Sequence, residues 1–285
     1  MSGQQSVLLP DGRLHLQHGP IDLVIEAFGA GQEVGRAYRQ AVDRFGDILP
    51  TLVGELPALR RRMDDAFPLM RGPVARRMAS AVWPYRRVFI TPMAAVAGAV
   101  ADEVLQAMLA GRRLDKAYVN NGGDIAFHLA PAQELRAGIF VAALDGAVRL
   151  VHDRPVRGIA TSGWKGRSFS LGIADSVTVL AADAATADAA ATIVANAVDA
   201  DHPAVVRRPA CELDPDSDLD NLPVTVEVGS LPPDFVTRAL DRGAAEARRL
   251  RHLGLIECAA LSLKGDWRIE APTNRALFFC GAAGC

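Results

Sequence analysis

Two alanine-rich segments constrain this chain more than any other feature. FITPMAAVAGAVADEVLQAML, starting at Phe89, and SVTVLAADAATADAAATIVANAV, starting at Ser176, each set a short β-type run ahead of a helix made almost wholly of Ala, Val and Gly. Small side chains let a helix lie close against its neighbours, and protein interiors are close-packed, so such helices belong at the centre of a fold. The pattern predicts a strand ending near Ile90 and another at the head of the second segment, each feeding a buried helix. Pro92 then falls in a first helical turn, where its missing N–H costs nothing. The two strand-to-helix units, near 88–109 and 176–198, read as an internal duplication.

Around these segments the chain alternates irregularly between the two periodicities. Ser6–Leu9 and Arg13–Leu16 flank the turn signal Pro10-Asp11-Gly12, and Ile21–Ala27 reads as a third strand. Val34, Tyr38, Ala41, Val42 and Phe45 mark a helical stripe from Gly31. Leu56 to Arg87 reads as irregular and arginine-rich, either a solvated face or an anion-facing rim. KAYVNNGGDIAFHL, AGIFVAAL, AVRLV and GIATSG form a strand-rich block. Asp199 to Pro223 reads as a polar excursion, and beyond it come the strand VTVEV, a helix from Asp234 to about His252, and strands near LIECAALSL and DWRIE. Strands and helices mix without strict βα alternation, which favours an α+β fold over a doubly wound sheet. The chain of 285 residues is long enough for one large core or two fused small ones, divided at about 130, with 271–285 as a short apolar tail that docks, frays or covers a dimer seam.

Composition excludes several functions. A formal net charge of -2 and 6% aromatic residues argue against a polyanion-binding surface or a base-stacking platform. The longest apolar run, Met93 to Ala101, is ended by Asp102 and is well short of the roughly 20 residues that cross a bilayer. The opening MSGQQSVLLPDGRLHLQHGP lacks the basic and apolar regions of a signal peptide. Cys211, Cys258, Cys280 and Cys285 form no CxxC pair and read as reduced thiols, so a cytoplasmic protein is expected, with no membrane or nucleic-acid partner. The six histidines are scattered and there is no GxSxG, which leaves a Ser-His-Asp hydrolase unsupported.

Three segments carry candidate chemistry. In NNGGD, Gly122 and Gly123 let a backbone approach a ligand, and Asp124 can accept hydrogen bonds from a ribityl, ribose or base group; the same residues suit a type I′ hairpin centred on Asn121-Gly122. In GIATSGWK, Thr161 and Ser162 place two hydroxyls ahead of Gly163, as a ligand contact or an ordinary turn. Lys165 stands one place too late for a phosphate loop, and no helix pattern follows it. In ADAAAT, Asp188 and Thr192 are one helical turn apart, so a carboxylate and a hydroxyl share a face as two oxygen ligands for a hard cation such as magnesium. Equally, Asp188 suits a helix N-terminus and Thr192 can bond back to its own helix.

These motifs stand in the order used by the ApbE-like superfamily, the FAD:protein FMN transferases and thiamine-biosynthesis lipoprotein relatives. The chain resembles that family in VNNGGDI, in IATSG and in SVTVLAADAATADAAAT, which is similar to its VTV strand and ADxxxT. TPMAAVAGAVAD is similar to the glycine-rich helix start GGxAKGYAVD, and the likeness runs from about Ile90 to Val198, closest to a non-lipoprotein branch. The resemblance implies a tandem T-fold-like α+β architecture with mixed or antiparallel sheets, central Ala-rich helices and a site between its halves. It implies FAD or FMN contact at Gly122, Gly123, Asp124, Thr161, Ser162 and Gly163, and Mg2+ on Asp188 and Thr192 with a backbone carbonyl near Val96. It further implies a protein substrate whose threonine attacks the flavin phosphate.

The chain also departs from the pattern. The family's lysine falls on Ala97 and its tyrosine on Ala99, and the HxxDPxTG segment is missing, with only Trp164 to Ser176 between Gly163 and the VTV strand. Lys165, Arg167 and the arginine-rich segment are the cations available to replace the lysine. Three functions follow as expectations: a magnesium-dependent FAD-to-FMN transferase or related phosphoryl-transfer enzyme, a flavin- or nucleotide-binding protein without catalysis, and a structural homo-oligomer with a degenerate site.

Overall fold

The computed structural model describes residues 3–141, 144–272 and 280–281. Most of the apolar tail expected at 271–285 therefore lies outside the described residues. In chain order the elements are β1 (Gln5–Leu8), β2 (Leu14–His18), β3 (Ile21–Gly29), α1 (Gly31–Phe45), α2 (Ile48–Gly54), α3 (Leu56–Leu59), α4 (Pro73–Val82), α5 (Val96–Leu109), β4 (Leu114–Asn121) and β5 (Asp124–Leu129). They continue as β6 (Glu134–Val141), β7 (Leu144–Val151), β8 (Gly158–Ser162), β9 (Ser176–Ala181), α6 (Ala184–Ala197), β10 (Val205–Pro209), α7 (Ala210–Leu213), β11 (Pro223–Val228), α8 (Pro233–His252), β12 (Cys258–Leu263), β13 (Asp266–Glu270) and β14 (Cys280–Gly281). The strands pair antiparallel wherever their register is defined, which makes the fold α+β. The chain forms two compact units, interleaved along the sequence: Met1–Leu135, Val151–Ala160 and Ala182–Ala189 in the first, the remainder in the second. Strand β8 and helix α6 each begin in the first unit and end in the second.

In the first unit the strands run in the order β1-β2-β3-β4-β5-β8. Strand β3 shows why: Ile21, Leu23, Ile25 and Ala27 are buried while the residues between them are not, the period-two pattern of a half-covered strand. Helix α1 covers the expected span and buries Ala37, Ala41 and Phe45, spaced one helical turn apart. Helix α5 is the central element, packed on α1, α4, β4 and β5, with Ala99, Val100, Ala101 and Val104 fully enclosed. Pro92–Leu109 is apolar and long enough to cross a membrane by composition, but half of it is buried within the protein.

Three local expectations need correction. No strand precedes α5: Val88 to Ile90 is a bend between the prolines at 84 and 92, and its one ladder-like bond runs from the Met63 N–H to the Ile90 carbonyl at 2.9 Å. A 3₁₀ turn, Pro92–Ala95, leads into α5 instead, with the Thr91 hydroxyl accepting the Met93 N–H at 3.2 Å. The duplication of strand-to-helix units therefore fails in its first copy. Second, the arginine-rich stretch contains helix α4, which buries Val74, Ala75, Met78, Ala79 and Val82; four-residue apolar spacing outweighs the local charge density. The Glu55 carboxylate accepts the Arg71 and Gly72 N–H groups at 2.7 Å each and fixes where the chain turns into α4. Third, the excursion after Asp199 contains β10, paired with β11. Val205 to Pro209 holds only two apolar residues besides proline and lies half-exposed, so it carries little hydrophobic signature.

The second unit holds the strand order β8-β9-β12-β13, the β10-β11 ribbon and the β14-β7-β6 sheet. Every residue of β12 is buried. Helix α8 lies over β12 and β13 and buries Val236, Ala239, Leu240, Gly243, Ala244, Ala247 and Leu250, an apolar stripe at helical spacing.

Candidate functional site

In the first unit, β4 and β5 form a hairpin in which Asn121 is paired with Asp124. Its two-residue loop is Gly122-Gly123, one position later than the dipeptide expected from the sequence. Their φ values of 65° and 114° are positive, a combination that glycine adopts without strain. The Asn120 Oδ1 accepts the Gly123 N–H at 2.8 Å and closes the turn. Both glycines are exposed, and Asp124 is half-buried beside them.

The buried side chain of Asn121 reaches the other way. Its amide donates to the Ala97 carbonyl at 3.1 Å, tying the end of β4 to the first turn of α5. That first turn also meets α6: the Gly98 N–H donates to the Asp188 Oδ2 at 3.0 Å. In return, Asp102 of α5 accepts the Ala184 and Ala185 N–H groups at 3.0 and 2.9 Å. Each helix thus satisfies the unpaired N-terminal amides of the other with a carboxylate, where the helix dipole also favours negative charge. The exchange demands close approach, and Gly98 provides it: a Cβ there would lie 2.2 Å from the Ala184 carbonyl oxygen.

The electrostatics of this junction are strained by like charges. Burial, then the neighbouring Asp124, hold the Asp188 carboxyl well above the usual carboxylate range, while the Gly98 and Ala97 amides pull it back. Burial, then Asp183, push Asp102 up to about 6 against the opposing pull of the Ala185 and Ala184 amides and Arg77. A cation beside Asp188 and Asp124 would relieve that repulsion. The donors are all hard oxygens, and a carboxylate offers about four acceptor positions, so two amide donors leave room for a metal on the same group. Among the described residues no three His, Cys, Asp or Glu side chains converge as a metal site. An ion here would take one carboxylate and backbone or solvent oxygens. Val96 opens α5, in the same first turn that Asp188 engages.

The TSG residues belong to the second unit. The Thr161 and Thr178 hydroxyls are 2.8 Å apart across β8 and β9. Ser162 is half-buried and Gly163 buried. Asp175 organises the following loop, accepting from the Trp164 indole at 3.1 Å, the Lys264 N–H at 2.6 Å and the Lys165 ammonium at 2.8 Å. Lys165 is therefore occupied by a carboxylate of its own loop.

A family model described as AbpE bacteria matches residues 6–269 of the chain. The chain belongs to that family. It thereby falls within the ApbE-like superfamily that its motifs resemble. Among curated proteins, a UPF0280 protein of Methanothermobacter thermautotrophicus is 39% identical over 124 residues, covering 42% of this chain and 46% of that one. A UPF0280 protein of Methanopyrus kandleri is 35% identical over 168 residues, covering 57% of this chain and 64% of the relative. The matched part of the chain spans about half the length of most of these relatives. Two solved structures of the flavin transferase ApbE from Vibrio cholerae, one of them a mutant, are similar at 12% and 14% identity. They cover 97% and 98% of this chain and all of theirs, at TM-scores of 0.46 and 0.42.

Within this AbpE-family chain the structure brings together Asp124, Asp188 and the first turn of α5. Sequence reading missed Asp102, Asn121 and Gly98 as members of the same junction. Asp102 was visible as the carboxylate that interrupts an apolar helix, and an acid in such a place needs partners. The role of Asn121 as a strut left no signal, because NNGG reads as a turn.

Proposed function

We propose that the chain is a magnesium-dependent flavin-nucleotide protein of the ApbE type, and that its reaction is transfer of FMN from FAD to a threonine of a protein substrate. The observation that carries the reading is the half-buried Asp188, set beside Asp124 and against the N-terminal turn of α5 in an AbpE-family chain. In this reading Asp188 and Thr192, with a carbonyl near Val96, hold the cation. Bound there, magnesium would neutralise the FAD pyrophosphate. The open Gly122-Gly123 turn and Asp124 would meet the flavin nucleotide. Transfer forms a bond from the threonine oxygen to the FMN phosphorus and breaks the bond from that phosphorus to the bridging oxygen, which leaves on AMP, while the threonine proton passes to solvent.

Calorimetry of FAD binding, with magnesium and with EDTA, tests the metal. Tight binding only with magnesium is expected, and Asp188→Asn should remove the difference while leaving the circular dichroism unchanged. Equal affinity in both buffers for the wild type would overturn the reading. Transfer itself is read as in-gel flavin fluorescence on a threonine-bearing acceptor protein.

A second reading, binding without transfer, is favoured by one feature: Ala97 stands where the family's lysine is expected, and Lys165 is held by Asp175. Ala97 is only half-buried, so Ala97→Lys should fold. Transfer that appears only in Ala97→Lys would select the binding role for the natural chain.

A further inference from the structure

The first unit holds a cleft of about 660 Å³ between the segment 61–65 and the residues that follow the Trp83–Tyr85 turn. Its charged lining is Arg61, Arg62, Arg86 and Arg87 with Asp64 and Asp65. The Met63 N–H bond to the Ile90 carbonyl ties the two segments together, so the four arginines are gathered by the backbone rather than by chance rotamers.

The two carboxylates do not neutralise this group. Asp64 lies 3.5 Å from Arg61 and Asp65 lies 3.6 Å from Arg86, both longer than a good charge-assisted hydrogen bond, and the Asp65 side chain is 93% exposed. Such exposed pairs contribute little. Arg62 and Arg87 have no carboxylate within ion-pair distance among the described residues. Arg86 is nevertheless held in place: its guanidinium stacks 4.5 Å from the Trp83 ring centroid and donates to the Trp83 carbonyl at 3.2 Å. Its buried Nε–H is the group that faces Asp65 Oδ1 at 3.6 Å, too far for a hydrogen bond, and it has no acceptor among the described residues. Arg62 sits 5.9 Å from the Phe89 ring centroid. Aromatic faces position these cations without cancelling their charge.

Arginine forks match phosphate oxygens in pairs, and a diphosphate has enough oxygens to engage several forks at once. The cleft volume lies within the range of small-molecule sites. We propose that this arginine cleft is a binding site for a small diphosphate-bearing anion. The proposal does not rest on the flavin reading, which concerns Asp188 and the β4–β5 turn.

The test is calorimetry of inorganic pyrophosphate on the full chain in EDTA, which takes the metal site out of the measurement, with citrate at equal ionic strength as the carboxylate arm. The wild type should bind one pyrophosphate, more weakly as sodium chloride rises. Arg62→Gln/Arg87→Gln, which breaks no ion pair, should weaken binding at least tenfold. Asp65→Asn, a change at a solvated side chain, should tighten it, and Asp188→Asn should leave it unchanged. Absence of pyrophosphate binding at millimolar concentration, unchanged affinity in the double variant or in Asp65→Asn, or citrate binding as tightly as pyrophosphate would each overturn the proposal.

Discussion

Gly98→Ala separates helix propensity from packing, because the two predict opposite signs. By propensity alone, replacing a glycine inside α5 by alanine stabilises the protein by up to about 1 kcal/mol. The added Cβ would lie 2.2 Å from the Ala184 oxygen, 2.4 Å from its carbonyl carbon and 2.7 Å from the Ala185 nitrogen, where ordinary contact begins at 3.4 Å. The obstacle is backbone and cannot rotate away, so α5 and the start of α6 must part by more than about 1 Å. Such overpacking costs about 1–3 kcal/mol. The same gap is bridged by the Asp188 and Asp102 bonds, and stretching one charge-assisted bond adds about 1.5–3 kcal/mol. Set against the propensity gain, the expected net loss is about 1.5–5 kcal/mol. Gly35 is the control: it lies within α1, and a Cβ there would meet nothing nearer than the Arg39 guanidinium at 3.9 Å. Gly35→Ala should therefore gain up to about 1 kcal/mol. Urea unfolding followed by circular dichroism reads both as shifts of midpoint. Gly98→Ala at or above wild-type stability would refute the close junction between α5 and α6.

Other expectations follow from the same contacts. Asp102→Ala should cost about 1–2 kcal/mol by uncapping α6, measured in the same unfolding assay. Because Asp102 is pushed up to about 6, the folded chain holds its proton more tightly than the unfolded one; this carboxyl therefore lowers stability as pH rises from about 4 to about 6, by at most about 3 kcal/mol. Asp102→Asn should flatten that part of the profile, and superimposable profiles would refute the assignment. Glu103 is buried between Arg44 at 2.9 Å and Arg77 at 3.5 Å, so Glu103→Ala should lose about 3–5 kcal/mol in a melting experiment by leaving both cations without it. Ala191, fully buried on α6, should not accept a charge: Ala191→Asp should fail to fold, whereas the half-buried Ala97 tolerates a long side chain.

Local periodicity carried much of the architecture. The stripe from Val34 to Phe45 has a single reading as a helix, and the alternation from Ile21 to Ala27 has a single reading as a strand, because the apolar face of each must be buried somewhere. Where apolar spacing was sparse or diluted by charge, the reading failed. Helix α4 was hidden by Arg76 and Arg77, and β10 by its own half-exposed face. At Val88 to Ile90 the opposite error arose: three β-favouring residues suggest a strand, but the neighbouring prolines leave no room for a ladder.

The candidate site divides in the same way. The sequence alone determined that two helices must be small-faced and central, that Asp188 and Thr192 share one face, and that Gly122-Gly123 lies in a turn, because each depends on residues a few positions apart. Only the tertiary structure decided that Asp102 and Asp188 cap each other's helices, that Asn121 braces Ala97, and that Asp124 raises the cost of charging Asp188. The two caps run through backbone N–H groups and the brace through a backbone carbonyl, all tens of positions away; those groups are the same in every residue but proline, so no side-chain pattern along the chain can announce which one a side chain will meet.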